Sequence, residues 1–322
     1  MLHIKEQLIL RRITLSSETY QSSDQTLLSE AADINTAPTT RSRLLEEYKN
    51  YGENQSKAHL TMIEERVKLL AALLRTQKPE NFRCLRLREC EHQRLHYRFV
   101  YRFEIPPSFH GRERTLCELI KSQEGRPTLG ERFIMAFRIA SAVEHWHRVG
   151  WVHQGISGHN ILLFATPNGS IQFCSPFLHG FDFSRPNAKP SLPTCVEDIG
   201  FNVYRHPNRQ GPSRDGHQKI HDIYSMGVVL LEIGLWRTAL DIIRDKYGKN
   251  YHKISKQEMF QTLLSAAGSR LAHYAGTEYQ QAVYTCLKTD FGIVFDDRDG
   301  TKVTKALRSQ VLDKLSAWKY VH

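Results

Sequence analysis

The stretch Asp222-Ile-Tyr-Ser-Met-Gly-Val-Val-Leu-Leu-Glu-Ile-Gly-Leu-Trp236 constrains this chain more than any other. It reads as a helix with apolar side chains most of the way round, so it must be buried on most sides. Its apolar run, Met226–Leu235, carries Glu232 and falls far short of the roughly 20 residues that a membrane span needs. The rest of the chain can supply the necessary cover. Of 322 residues, 40% are hydrophobic and 24% charged, which suits a globular protein with two packed lobes and excludes a disordered or collagen-like one. Met1–Leu8 holds Lys5 and Glu6 and offers no signal-peptide core.

Periodicity places the other elements. Residues 1–42 are rich in Ser, Thr and Asp and read as a weakly ordered lead-in, with a short strand at Leu8–Leu15. A strand is expected over Arg43–Lys49. Ile63, Val67, Leu70 and Leu74 recur at helical spacing, which predicts a helix over 59–75. Phe82–Glu89 and Leu95–Ile105 alternate as strands do, and Pro106–Pro107 closes the second. Helices dominate afterwards: Leu116–Lys121, then a long one opened by a capping box at Thr128 and Glu131 and running through Phe133, Phe137, Ala140, Val143 and Trp146. Short apolar runs follow at Trp151–Val152 and Ile161–Phe164, with an Asn168–Gly169 turn into Ile171–Cys174. Gly180–Gly216 reads as a long functional loop, and Met259–Leu271, Tyr279–Leu287 and Thr304–Trp318 as helices. The expected fold is α+β and bilobal. Residues 43–105 make a small β-rich lobe with one major helix, and residues 106–322 a larger, mainly helical lobe. Residues 1–42 lead in or add strands to the first.

Six scattered cysteines (Cys84, Cys90, Cys117, Cys174, Cys195, Cys286) match neither a disulfide framework nor zinc spacing, so reduced thiols of a cytoplasmic or nuclear protein are expected. Lys and Arg number 44 against 34 Asp and Glu, a net charge of +10. Arg83, Arg86, Arg88, Arg94, Arg98 and Arg102 interleave with aromatics, as a nucleic-acid-binding sheet could. Alternation on a half-exposed sheet explains them equally, and Glu89 and Glu91 dilute the charge, so nucleic acid is the lesser expectation. His145, His147 and His153 have Glu144 as their only nearby carboxylate, a weak case for zinc.

Four motifs in order carry a family resemblance. Trp151-Val-His-Gln-Gly-Ile-Ser-Gly-His-Asn160 resembles the catalytic loop of protein kinases, with His153 and Asn160 seven apart. Asp182-Phe-Ser184 resembles the metal-binding D-F-G turn. Tyr204-Arg-His-Pro-Asn208 stands where A-P-E closes the activation segment, and His221-Asp-Ile-Tyr-Ser-Met-Gly227 resembles the helix that follows. The resemblance covers roughly residues 43–320. Its wording is similar to kinase-like domains of filamentous fungi associated with HeLo-type and incompatibility modules. No HeLo-like domain precedes it here, which implies a stand-alone or trimmed member.

The resemblance implies a degenerate site. Gly155 stands where the catalytic Asp would accept a proton, and Ser157 replaces the lysine that would meet the γ-phosphate. Asn160 and Asp182 keep the residue types that hold Mg²⁺, although Asn160 also suits a loop brace. Asp182 alternatively caps local N–H groups or pairs with Arg185. Ser184 in place of glycine makes a left-handed turn there costlier. No glycine precedes Gly52, so the phosphate-covering glycine loop is missing, while Lys49 stands as the strand lysine that would pair with Glu64 or Glu65. His153, Phe183, Asp222 and Glu65 are carried over as structural residues. Asn208 leaves no A-P-E glutamate for a buried bridge. The implied function is a catalytically inactive kinase-like domain that binds or regulates protein partners, acidic or phosphorylated ones by the arginines around 185–214, with no cofactor. The alternatives are an unusual active kinase binding ATP and Mg²⁺ through Lys49, Asn160 and Asp182, and a basic nucleic-acid binder.

Overall fold

Backbone pairing against an apolar strand builds the first unit of the molecule, a computed structural model that describes residues 43–122, 125–187, 198–211, 216–293, 296–297 and 300–316. The strand expected at Leu8–Leu15, the lead-in 1–42, Cys195, Arg214 and the end of the last helix at Trp318 lie outside the described residues. The fold is mixed α+β with small antiparallel sheets. It divides into two compact units, one holding residues 43–77 and 86–107, the other 78–85 and 108–316.

In the first unit, β1 (Leu44–Asn50) is followed by α1 (Lys57–Arg75), β2 (Arg86–Gln93) and β3 (Arg98–Glu104). The strands pair antiparallel in the order β1-β3-β2. Ser56 caps α1, accepting from His59 N–H at 3.2 Å, and Ile63, Val67, Leu70 and Leu74 are all buried, as their spacing predicts. On β3, Phe99, Tyr101 and Phe103 are buried. Arg102, on the same strand, meets three carboxylates: Glu46 at 2.8 Å, Glu89 at 3.2 Å and Glu91 at 2.8 Å. Arg98 lies 4.3 Å from the centre of the Tyr48 ring. Register explains this, since β3 puts Arg102 opposite Glu46 on one side and Glu89 on the other. Of the arginines that suggested a nucleic-acid surface, Arg98 and Arg102 are thus engaged within the sheet and Arg88 lies 3.9 Å from Glu104, while Arg86 and Arg94 are exposed.

The second unit claims residues 78–85, which the sequence assigned to the small lobe. Phe82 ends a 3₁₀ turn (Glu80–Phe82) instead of opening a strand. Its ring packs edge-on to Trp146, whose indole N–H donates to Phe82 O at 3.2 Å. Arg83 is buried against Glu80 at 2.7 Å. Next come β4 (His110–Thr115), α2 (Leu116–Ser122), α3 (Leu129–Arg148), β5 (Trp151–Val152), β6 (Ile161–Ala165), β7 (Phe177–Leu178) and β8 (Arg185–Pro186). β4 has no apolar alternation, and sequence reasoning passed over it. It forms by antiparallel pairing with the apolar β6, in a sheet ordered β4-β6-β7, while β5 pairs with β8. The capping box on α3 is present: Thr128 accepts from Glu131 N–H and Glu131 accepts from Thr128 N–H. Its buried face centres on Met135, Ile139, Val143 and Trp146, leaving Phe133 and Phe137 half-buried at the side.

The rest is helical: α4 (Ile199–Asn202), α5 (Lys219–Leu235), α6 (Ala239–Tyr247), α7 (Lys256–Ser269), α8 (Leu271–Lys288), α9 (Thr301–Leu307), a π turn (Arg308–Leu312) and α10 (Asp313–Leu315). α6, capped by Thr238, was not foreseen. Every residue from 221 to 236 is buried, so α5 is the axis on which the unit packs. It approaches α8 closely at Gly227, where an added Cβ would lie 2.7 Å from Cys286 Cβ and 3.2 Å from the backbone of Cys286 and Leu287. Helix propensity favours Ala over Gly by about 1 kcal/mol, but neither of those neighbours can rotate away. Gly227→Ala is therefore expected to lose about 1–3 kcal/mol of stability in urea denaturation, and an unchanged or higher midpoint would count against this packing. No described helix is long and apolar enough to cross a membrane. The five described cysteines are free thiols, with Cys117 and Cys286 buried.

Candidate binding site in the second unit

The site grows from the loop after β5. His153 and Gln154 direct consecutive backbone N–H groups at the carboxylate of Asp222 in the first turn of α5, at 2.7 and 2.9 Å. His147 Nε2 and His217 Nε2 donate to the same carboxylate at 3.1 and 2.8 Å. Burial opposes ionisation of Asp222, but His217 and the N–H groups around it hold its carboxyl well below the usual range. Burial also lowers the pKa of His147. Its Nε2 is thereby a neutral donor. Asp222 thus fastens the loop to the buried helix α5.

Asn160, at the end of a 3₁₀ turn (Gly158–Asn160), closes the loop from the other side. Its Nδ2 donates to Gly155 O at 2.7 Å, its backbone N–H to Ser157 O at 3.0 Å, and its carbonyl accepts from His179 N–H at 3.0 Å. Its side chain packs on Gly180, where φ is +75° and an added Cβ would stand 2.3 Å from Asn160 Nδ2. Only glycine fits there. Gly155 is crowded too: an added Cβ would meet Gly180 O at 3.1 Å and Asn160 Nδ2 at 3.3 Å.

Several residues singled out by sequence take other places. Phe183 is 44% exposed, and the ring that packs on His153, with centroids 4.6 Å apart, is that of the buried Phe181. The stacking role expected of Phe183 therefore falls to Phe181, because Gly180 starts a 3₁₀ turn (Phe181–Phe183) that turns the first phenylalanine inward. Ser184 is not strained. Its φ is −63°, and its hydroxyl donates to His153 O at 2.9 Å. Arg185 is buried and donates to the carbonyls of Pro186, Asn187 and His217, so it clamps the segment rather than facing a partner. Lys49 lies in the first unit, buried and not exposed on its strand, whereas Asn160 and Asp182 lie in the second. On α1 it is Glu64, 3.5 Å from His92 Nδ1, that turns toward the sheet, while Glu65 is exposed. Among the described residues no cluster of three or more His, Cys, Asp or Glu could hold a metal ion.

A buried glutamate does exist, but on α5. Glu232 Oε1 accepts from Tyr204 Oη at 2.7 Å and from Ala239 N–H at 2.8 Å. Burial pushes its carboxyl up to about 7. Ser225 adds a second tie, donating to Tyr204 O at 2.7 Å. The signal was present in the sequence as the one charge inside an apolar run, but its partner 28 residues earlier was not. The loop, the turn at Asp182 and the segment 201–209 together surround a pocket of about 300 Å³, lined among others by Gln154, Gly155, Asn160, Asp182, Arg205 and Arg209.

Residues 86–317 match the model of the family described as Domain of unknown function (DUF7580), and the chain, well over half of which is matched, belongs to that family. No curated protein matches it.

Proposed function

We propose that this chain is a protein-kinase-like fold that no longer transfers phosphate and serves as a binding or regulatory module for another protein. The observation that carries the reading is Gly155. Where the resemblance asks for a carboxylate to orient a substrate hydroxyl, there is no side chain, and the surrounding atoms leave little room for one. Support comes also from the loop itself. Its N–H groups converge on Asp222 and its Asn160 amide is occupied by Gly155 O, so the scaffold of a catalytic loop persists without its chemical groups. The first unit is then the small lobe and the second the large one.

Incubation of the full chain with γ-labelled ATP, Mg²⁺ or Mn²⁺ and generic protein substrates is expected to give no transfer. ATP is expected to leave the melting temperature unmoved, since a ligand that binds the native state raises it. Transfer that disappears in Asp182→Ala would overturn the reading in favour of an active kinase.

A further inference from the structure

Between Asp245 and Glu258 the chain carries four lysines, Lys246, Lys249, Lys253 and Lys256, and no carboxylate. The fold brings this stretch to the surface. Gly248, at φ +54°, ends α6, and a 3₁₀ turn (Gly248–Lys253) follows with none of its six residues buried. Ser255 then caps α7, so Lys256 stands in the first turn of that helix. All four lysines are exposed. Lys246 is engaged, donating to Thr262 Oγ1 at 3.2 Å. Lys249, Lys253 and Lys256 have no ion pair and no side-chain hydrogen bond among the described residues. The nearby carboxylates are taken. Asp241 lies 3.8 Å from Arg244 and accepts from the Thr238 hydroxyl, Asp245 is 2.6 Å from Arg237, and Glu258 accepts from Ser255 N–H at 2.8 Å. Fold stability does not account for the three lysines. A cation in the first turn of a helix, as Lys256 is, meets the positive end of the helix dipole, and like charges close in sequence repel.

We infer that this turn is a contact surface for an anionic membrane, on which Lys249, Lys253 and Lys256 lie against phosphatidylserine headgroups. The net charge of +10 on the whole chain adds attraction at longer range. Lysine is a compact point charge on a flexible stem, which suits a surface of diffuse negative charge. The stretch from 246 to 257 holds no arginine, the residue that recognises a single phosphate or a guanine edge bidentately. Nucleic acid fits less well for a second reason. Single strands stack on open aromatic faces, whereas Tyr247 and Tyr251 are half-buried and already have Lys246 and Arg244 over their rings, 5.2 and 4.7 Å from the centres. The inference stands whether or not the chain transfers phosphate.

Co-sedimentation of the full chain with phosphatidylcholine vesicles, with and without phosphatidylserine, tests this. Binding should require phosphatidylserine and fall steeply as salt rises. Each lysine near an anionic surface contributes about fivefold, so the variant carrying Lys249→Gln, Lys253→Gln and Lys256→Gln should lose about a hundredfold in partitioning. Arginine at the same three positions keeps the charge and should bind as the unaltered chain does, which separates charge from damage to the fold. A third variant, Lys68→Gln with Arg86→Gln and Arg94→Gln, removes as much charge from exposed positions in the first unit and should lose less than about tenfold. Equal losses in the two glutamine variants overturn the proposal, since diffuse net charge then suffices. Loss of binding in the arginine variant overturns it as well, because charge is then not what the membrane meets. Binding to phosphatidylcholine alone, no binding to either vesicle, or a preference for single-stranded or duplex DNA over phosphatidylserine vesicles at equal charge has the same consequence.

Discussion

Asp222→Ala should be the most damaging single substitution in the second unit. The carboxylate is completely buried and takes four donors: two backbone N–H groups from His153 and Gln154 and two ring N–H groups from His147 and His217. Alanine leaves all four facing an empty space inside the protein. Removing one partner of a buried charged network costs about 3–5 kcal/mol, because the remaining groups are desolvated without compensation. That is a large share of the roughly 5–15 kcal/mol by which domains are stable. Asp222→Asn should also lose stability, since its amide N–H₂ points a donor at other donors. Urea denaturation followed by circular dichroism reads the effect, and a loss below about 1 kcal/mol for the alanine variant would show that the network is not what holds the loop. The sign with pH follows from the lowered carboxyl. The native state binds the proton less readily than the unfolded chain, so the contribution is present above the unfolded pKa near 3.8 and is lost as pH falls toward the native one. Asp222 thus matters little to the neutral pH dependence and greatly to stability.

The contrast between Asp222 and β4 shows what a single sequence can disclose. Elements that bury one face announce themselves by period: the stripe Ile63, Val67, Leu70 and Leu74 is buried as its spacing requires, and the apolar run at 226–235 fixes the all-round burial of α5. β4, with the sequence His-Gly-Arg-Glu-Arg-Thr, carries no period because pairing with β6 is made by its backbone. Phe82 shows the same limit. Its run alternates like a strand, yet its ring fits against Trp146, a contact 64 residues distant. At the site, the family resemblance singled out Gly155, Asn160 and Asp182, and all three line one pocket. It named Phe183 where Phe181 packs on His153, because that outcome depends on the left-handed backbone at Gly180, and it did not find the tie between Tyr204 and Glu232. Long-range polar pairs leave no local periodicity.

Glu232→Gln should make the protein more stable above neutral pH and little different near pH 5. The carboxyl is fully buried on α5. Burial raises its pKa, the Ala239 N–H and the Tyr204 hydroxyl partly offset that, and Asp241 adds to the rise while Lys121 opposes it. Cys117 is the other titratable group beside this cluster, and its buried thiol is itself raised. Against a value of 4.5 in the unfolded chain, the native value is about 7, so between these pH values the native state holds the proton and the unfolded state releases it. Stability therefore falls as pH rises through this window, by on the order of 3 kcal/mol, and the penalty is complete above about pH 7. The histidines pull the other way. Burial lowers His206 to about 4 and His221 to about 3, so the unfolded chain binds their protons more readily and stability rises with pH up to about 6.5. The wild-type curve mixes both slopes, and only the difference between the two proteins isolates Glu232. Glutamine preserves the shape and the acceptor at Oε1 while removing the titration. Urea midpoints of both proteins at pH 5 and pH 8 should diverge toward the higher pH, with the variant the more stable there by about 2–3 kcal/mol. Parallel curves would mean that the carboxylate is stabilised in place. In that case its Oε2, which has no hydrogen-bond partner among the described residues, must gain one in solution.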